Sequence, residues 1–200
     1  MARSATQGKL FDAPATLPSG FIYRPNFLTQ KEEAELLSYI EDLPLENALG
    51  RGIYQGKRRY LNLGWSYSFS KGKIIEGPPL PHWLTPTAHK IAKWLDIPKK
   101  NIVEALVQEY PSGSGIGWHR DNEPFEYVIG ISLSSWCRMR LRPLRSRLDR
   151  ERATTDVTAV DIESRSAYVL QGDSRWLFQH SISPVQTLRY SITFRTLPKR

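Results

Sequence analysis

The sequence predicts an α+β protein, a jelly roll of short strands backed on one face by two N-terminal helices. Apolar residues recur at helical spacing between residues 29 and 95. From residue 102 onward they alternate with period two in short runs, and clusters of Gly, Pro, Ser and Asp divide those runs.

Two hundred residues, 40% hydrophobic and 24% charged, suit one domain with one sizeable core. Residues 1–19, which carry Pro14 and Pro18, are expected to be a flexible arm, and residues 20–200 a single domain. Thr29 and Glu32 make a capping-box pattern ahead of a stripe of Ala34, Leu37 and Ile40, which predicts the first helix. Thr85 followed by Pro86 reads as an N-cap with proline at the first helical position, and Leu84, Ala88, Ile91 and Leu95 supply the second stripe. Strands are expected near 102–110, 118–121, 127–133, 136–142, 157–162, 167–171, 175–180 and 188–195. Short strands in that number after two helices make the jelly roll the natural architecture.

The last run is the most informative. Alternation puts Arg189, Ser191, Thr193 and Arg195 on one face and Leu188, Tyr190, Ile192 and Phe194 on the other. If the apolar face packs on the helices, the arginines line the interior of the roll, where an unpaired guanidinium is costly. An anionic group is expected there.

A single cysteine, Cys137, excludes an intrachain disulfide and a thiolate zinc site and suits a reducing compartment, so the cytoplasm is expected. With no secretory leader pattern and no apolar run of about 18 residues, no membrane association is expected, and the protein is read as a monomer. A net charge of +8 favours an anionic partner, nucleic acid foremost, although basic charge also serves solubility.

His119 and Asp121 stand two apart, so on an extended segment one imidazole and one carboxylate leave the same face and can reach one ion. His180, at the end of a strand-like run far downstream, supplies a third ligand. Two imidazoles and a carboxylate form the facial triad that leaves positions open on non-haem Fe(II). The plain alternative is that His180 caps a strand and His119 bonds within a loop. His82 and His89, without a carboxylate at metal-binding spacing, read as ordinary surface histidines.

The open positions need a co-substrate, and a guanidinium grips a carboxylate bidentately. Arg189 and Arg195 stand about 20 Å apart along a strand, so one can hold the far end of a five-carbon diacid while the other sits nearer the metal. Tyr110, on the face of Gln108 and leading into the Gly-rich loop Pro111 to Gly117, could add a hydroxyl or simply pack in the core.

These stretches together resemble the AlkB dioxygenases: Gln108 to Gly113, Trp118-His119-Arg120-Asp121, Gly172-Asp173-Ser174-Arg175 through His180, and Arg189 through Arg195. The resemblance spans about residues 20 to 197 and is strongest from 102. It implies a double-stranded β-helix at about 102–197, with His119, Asp121 and His180 binding iron. It further implies that Arg189 and Tyr110 bind 2-oxoglutarate, joined by Gln108 and Ser191, while Arg195 supports the metal end. Gln108 stands where the family usually has asparagine. The implied chemistry consumes O2 and 2-oxoglutarate, hydroxylates an N-alkyl carbon, and releases succinate, CO2 and an aldehyde, formaldehyde from a methyl group.

Between Asn47 and Ile75 there is no acid, while Arg51, Lys57, Arg58, Arg59, Lys71 and Lys73 alternate with Tyr54, Tyr60, Trp65, Tyr67 and Phe69. Basic charge interleaved with aromatics suits phosphates and a stacked or flipped base. In AlkB-like enzymes this region forms a β-rich substrate lid, here about 47–75. The alternative is a hairpin with inward aromatics and solvated lysines. Arg138, Arg140, Arg142, Arg145, Arg147, Arg150 and Arg152 form a second basic run, read either as a wall beside the site or as a charged strand edge. Glu123 resembles the acidic position that contacts the base in nucleic-acid members. The favoured function is a demethylase of alkylated DNA or RNA, presented single-stranded or as a flipped base. The alternatives are the same chemistry on a protein or small molecule, and a catalytically silent nucleic-acid binder.

Overall fold

The computed structural model describes residues 17–47, 57–68, 70–121, 124–144 and 156–198. Most of the N-terminal arm, parts of the lid (48–56 and 69), Glu123 and the arginines from Arg145 to Arg152 lie outside the described residues.

The elements follow in the order β1 (Phe21–Arg24), α1 (Gln30–Glu41), β2 (Glu46–Asn47), β3 (Arg59–Gly64), β4 (Ser66–Ser68), β5 (Lys73–Ile75) and α2 (Thr85–Leu95). The roll follows with β6 (Ile102–Tyr110), β7 (Ile116–His119), β8 (Val128–Leu133), β9 (Cys137–Pro143), β10 (Thr158–Ile162), β11 (Ala167–Leu170), α3 (Gly172–Trp176), β12 (Phe178–Ile182) and β13 (Arg189–Thr196). A seven-stranded sheet runs β1-β11-β8-β13-β6-β3-β2 and a four-stranded one β10-β9-β12-β7, with β4 and β5 pairing apart. Every strand pairing is antiparallel. The jelly roll read from the sequence is the fold observed.

The large sheet divides two cores. Ile192 and Phe194 of β13, Ala105 and Val107 of β6, and Ile129 and Ile131 of β8 pack against Leu36 and Ile40 of α1 and Ala88 and Ile91 of α2. On the other face Tyr110, Val128 and Tyr168 meet Cys137, Met139 and Leu141 of the small sheet. The alternation read in the last strand therefore places Arg189, Ser191, Thr193 and Arg195 between the sheets, all buried.

Three local expectations are corrected. Helix α1 has the Thr29–Glu32 capping box, but its buried stripe is Glu33, Leu36 and Ile40, and Ala34 is exposed. Glu33 turns the helix because it has partners inside: its carboxylate accepts from the Ser134 N–H at 2.9 Å, the Ser164 hydroxyl and Arg165. Glu33→Ala should accordingly lower stability by about 2–3 kcal/mol, since it strands donors beneath α1. A denaturant midpoint unchanged at constant slope would show those bonds to be idle.

Thr85 opens α2 rather than capping it, because a 3-10 turn over His82–Leu84 already brings the backbone into helical geometry. The segment expected as one strand over 175–180 is a short helix and then β12. Ser174 closes that helix by donating to the Gln171 carbonyl and accepting from its N–H.

Candidate metal and co-substrate site

The Gly-rich loop sets the register that joins the two histidines. Gly113 holds φ +77°, and a Cβ at Gly115 would stand 2.6 Å from the Ile182 carbonyl, so the loop lies flush against the end of β12. Gly113 donates to the Val185 carbonyl and Val185 donates to that of Ser114. With the loop pinned there, β7 pairs with β12 so that His119 stands opposite His180, and their ring centroids lie 4.2 Å apart.

Asp121 follows two residues after His119. One nitrogen from each imidazole and one oxygen of Asp121 lie within 4.8 Å of one another, and His180 Nε2 is 3.5 Å from Asp121 Oδ2. The geometry suits a single ion. His119 Nδ1 donates to the Gly117 carbonyl at 2.9 Å, which leaves Nε2 as the lone-pair nitrogen. Burial holds the His119 imidazole below its usual range, and burial, with His119 alongside, pushes His180 down to about 3. Both are neutral at pH 7, the form that ligates a metal. Burial works against ionising Asp121, yet the Arg195 guanidinium, with His180 and His119 alongside, keeps the carboxyl below the usual carboxylate range.

Arg195 grips Asp121 Oδ1 through Nε at 3.1 Å and Nη2 at 2.6 Å, and its Nη1 donates to Glu104 Oε1 at 2.7 Å. Oδ2 of Asp121 is buried with no hydrogen-bond partner and is turned toward the histidines. An orphaned carboxylate oxygen beside two neutral imidazoles fits a divalent iron. Arg195 is thus placed behind the metal ligand, with all three of its nitrogens engaged there rather than on the far end of a diacid.

Arg189 is different. It is fully buried, its Nε donates to Ser132 Oγ at 3.0 Å, and Nη1 and Nη2 have no partner. Two unpaired guanidinium nitrogens in an interior call for an anion that presents two acceptors, and a planar carboxylate does so. The Arg189 guanidinium lies 5.0 Å from the Tyr110 ring centroid, and Tyr110 lines a cavity of about 350 Å³ that also reaches His119, Asp121 and His180. These residues fit 2-oxoglutarate with one end at the metal and the other at Arg189.

Gln108 also lines that cavity; Arg189 and Ser191, buried on one strand face, are not part of its wall, and Arg189 reaches it only through the Tyr110 ring. Arg58 and Tyr67 of the lid line it as well. Two lid residues do not. Arg59 pairs with Glu109 at 2.6 Å on the opposite face of the sheet, because neighbours along a strand point to opposite faces and Arg58 has the inner one. Trp65 lines a separate cleft with Pro78, Pro79 and Leu80.

The sequence reading assigned no role to Arg175, Glu104 or Asn62, and named Tyr60 only among the interleaved aromatics of the lid. Arg175 is buried and donates to the carbonyls of Asp121 and Phe125, so it holds the backbone that carries the metal carboxylate. Its signal was the motif Gly172 to Arg175, quoted without a part for the arginine. Glu104 was visible as an acid on the apolar strand 102–110. Tyr60 and Asn62 share the inner face of β3 and line the cavity. Of the second basic run, Arg138 pairs with Asp161, while Arg140 and Arg142 flank the Trp118 ring at 5.0 and 4.3 Å.

A jelly roll that encloses a His-Asp-His triad and an orphaned arginine defines a class, and sequence comparison gives the same answer. The family model described as 2OG-Fe(II) oxygenase superfamily matches residues 20–195, and the chain belongs to that family. Within it the chain is similar to proteins with AlkB-type names. It is 24% identical over 204 residues to the uncharacterized protein L905 of Acanthamoeba polyphaga mimivirus, covering 90% of this chain and 86% of that one. It is 26% identical to the "Alkylated DNA repair protein ALKBH8 homolog" of Arabidopsis thaliana, over 86% of this chain and 53% of that protein. With the "tRNA (carboxymethyluridine(34)-5-O)-methyltransferase ALKBH8" of Macaca fascicularis it shares 27% identity over 85% of its own length but only 25% of the relative's. The chain therefore spans about half of the first ALKBH8 protein and a quarter of the second. The solved structure of OsALKBH1 superposes at a TM-score of 0.66 with 16% identity, over 90% of this chain and 100% of that one, and so shares the fold. The protein is a 2-oxoglutarate dioxygenase, and its family employs Fe(II) as cofactor with 2-oxoglutarate and O2 as co-substrates.

Proposed function

We propose that the protein removes N-linked alkyl groups from bases in nucleic acid. The observation that carries this reading is that one cavity joins the His-Asp-His triad to Arg58, Tyr60 and Tyr67, a cation and two aromatic rings contributed by β3, β4 and the residues just before them. Aromatic rings stack on an extruded base, and a guanidinium meets its phosphate. A net charge of +8 and relatives whose names refer to DNA repair and tRNA point the same way.

Bound iron and 2-oxoglutarate supply the oxidising chemistry. For a methyl group the balance is one O2 and one 2-oxoglutarate consumed, with succinate, CO2, formaldehyde and the N–H base released. The chain's part is to hold His119, Asp121 and His180 in register, to fix the diacid at Arg189, to bring the alkyl carbon to the metal through Tyr60, Tyr67 and Arg58, and to exclude bulk water.

Binding to a methylated single strand should weaken steeply between about 50 and 200 mM salt, because each neutralised phosphate releases counterions. Arg58→Ala should lower the slope of log affinity against log salt by about one unit. Fluorescence anisotropy across a salt series measures both. Salt-insensitive binding, or succinate formation unaffected by competing oligonucleotide, would turn the reading toward a protein or small-molecule substrate.

A further inference from the structure

The pairing of β13 with β8, and of β8 with β11, sets Thr193, Gly130 and Tyr168 in one row across the inner face of the large sheet. Thr193 stands between Arg189 and Arg195 along β13, so the row runs between the buried anchor and the arginine that grips Asp121. Gly130 keeps that row open. A Cβ there would overlap Cε1 and Cζ of the Tyr168 ring and lie 2.5 Å from its hydroxyl. The phenol therefore lies over β8 with its hydroxyl end above Gly130, and the next strand is β13. Tyr168 is 5% exposed and lines the cavity together with Tyr110, His119, Asp121 and His180. Among the described residues no hydrogen bond satisfies its hydroxyl, whereas the Tyr23 hydroxyl accepts from the Glu163 N–H and that of Tyr190 donates to Glu109. Stacking on Phe21, with ring centroids 6.3 Å apart, accounts for the ring but not for the oxygen, since phenylalanine would pack as well. Burial pushes the phenol above its usual range, so it is a protonated donor at neutral pH.

We propose that Tyr168 is a further binding residue for 2-oxoglutarate, its hydroxyl donating to the carboxylate at the Arg189 end of the diacid. The proposal rests on the reading of this cavity as the 2-oxoglutarate site and deepens it, and it does not depend on the nucleic-acid substrate. Arg189 stands behind the Tyr110 ring, while Tyr168 forms part of the cavity wall and is within electrostatic reach of both Arg189 and Asp121. The metal end of the diacid gives its oxygens to the ion. The other carboxylate has about four acceptor positions, of which a guanidinium fork fills two, so room remains for a hydroxyl. Tyr168 and Gly130 act as a matched pair, because the phenol occupies the space that a side chain at 130 would take.

The test is Tyr168→Phe, which keeps the ring and removes only the hydroxyl. Anaerobic titration of the Fe(II)-loaded protein with 2-oxoglutarate, read by charge-transfer absorption and by thermal shift, measures binding without turnover. The dissociation constant should rise about tenfold or more in the variant, since a hydrogen bond to a charged group is lost. Fe(II) affinity should stay at the wild-type value, and the melting temperature without 2-oxoglutarate should not fall. Gly130→Ala, which drives the ring out of its row, should weaken 2-oxoglutarate binding in the same direction. With 2-oxopentanoate, which keeps the keto-acid end and lacks the second carboxylate, wild type and Tyr168→Phe should bind alike. Unchanged 2-oxoglutarate binding in Tyr168→Phe would overturn the role of the hydroxyl. So would an equal loss with 2-oxopentanoate or a matching loss of Fe(II) affinity, either of which would locate the disturbance at the metal end. A wild type that binds no 2-oxoglutarate in the presence of Fe(II) would instead remove the reading of the cavity, and the two kinds of failure are thereby distinct.

Discussion

Replacing His180 with alanine is expected to abolish 2-oxoglutarate turnover and leave the fold standing. On the proposed assignment the imidazole is one of three candidate ligands, and with it gone only His119 and Asp121 would hold the ion. Outer partners of metal ligands already cost 10–100-fold when removed, so loss of a ligand itself should exceed about 100-fold. His119→Ala should behave alike. Asp121→Ala is a less clean test, because it also removes one carboxylate from Arg195, and an uncompensated buried cation costs about 3–5 kcal/mol. Succinate formation read beside circular dichroism separates the two effects. Near-native turnover in both histidine variants would remove the metal assignment.

The second large effect concerns Arg189. Alanine there should raise the Michaelis constant for 2-oxoglutarate by about 100-fold while iron still binds, because truncating one member of a buried charged pair costs roughly 2–5 kcal/mol. Lysine should rescue poorly, as it replaces a two-pronged donor by a point charge. The same residue predicts a stability signature. The free protein carries two unpaired guanidinium nitrogens, so saturating 2-oxoglutarate at about 100 times its dissociation constant should stabilise the fold by roughly 2.7 kcal/mol. That thermal shift should vanish in Arg189→Ala. An unchanged Michaelis constant would place the anchor elsewhere, and Arg195 is an unsuitable substitute since its nitrogens are held by Asp121 and Glu104.

Strand β13 shows why so much of the site could be read from sequence. Its period of two is strict, its polar face is too charged to be core, and that face proved to point between the sheets. The structure brings His119 and Asp121 together for the same reason: local geometry puts the two side chains on one side. Where partners lie far off in the chain, sequence was silent. Nothing near Glu33 announces Ser134, Ser164 and Arg165, so Ala34 looked like the better core residue. Arg58 and Arg59 look alike as a basic pair, and only the sheet face, fixed by β3 pairing with β6, separates a cavity residue from the partner of Glu109. Arg175 was obscured because its acceptors are backbone carbonyls of Asp121 and Phe125, which leave no mark in a sequence.

The central claim is that this iron site acts on an alkyl group carried by nucleic acid. The most direct measurement incubates the protein with Fe(II), ascorbate, 2-oxoglutarate and an N-methylated single-stranded oligonucleotide, and follows oligonucleotide mass, succinate and formaldehyde together. The account predicts loss of one methyl group per strand with equal amounts of succinate and formaldehyde. Succinate formed while every methylated oligonucleotide tested keeps its mass would contradict it.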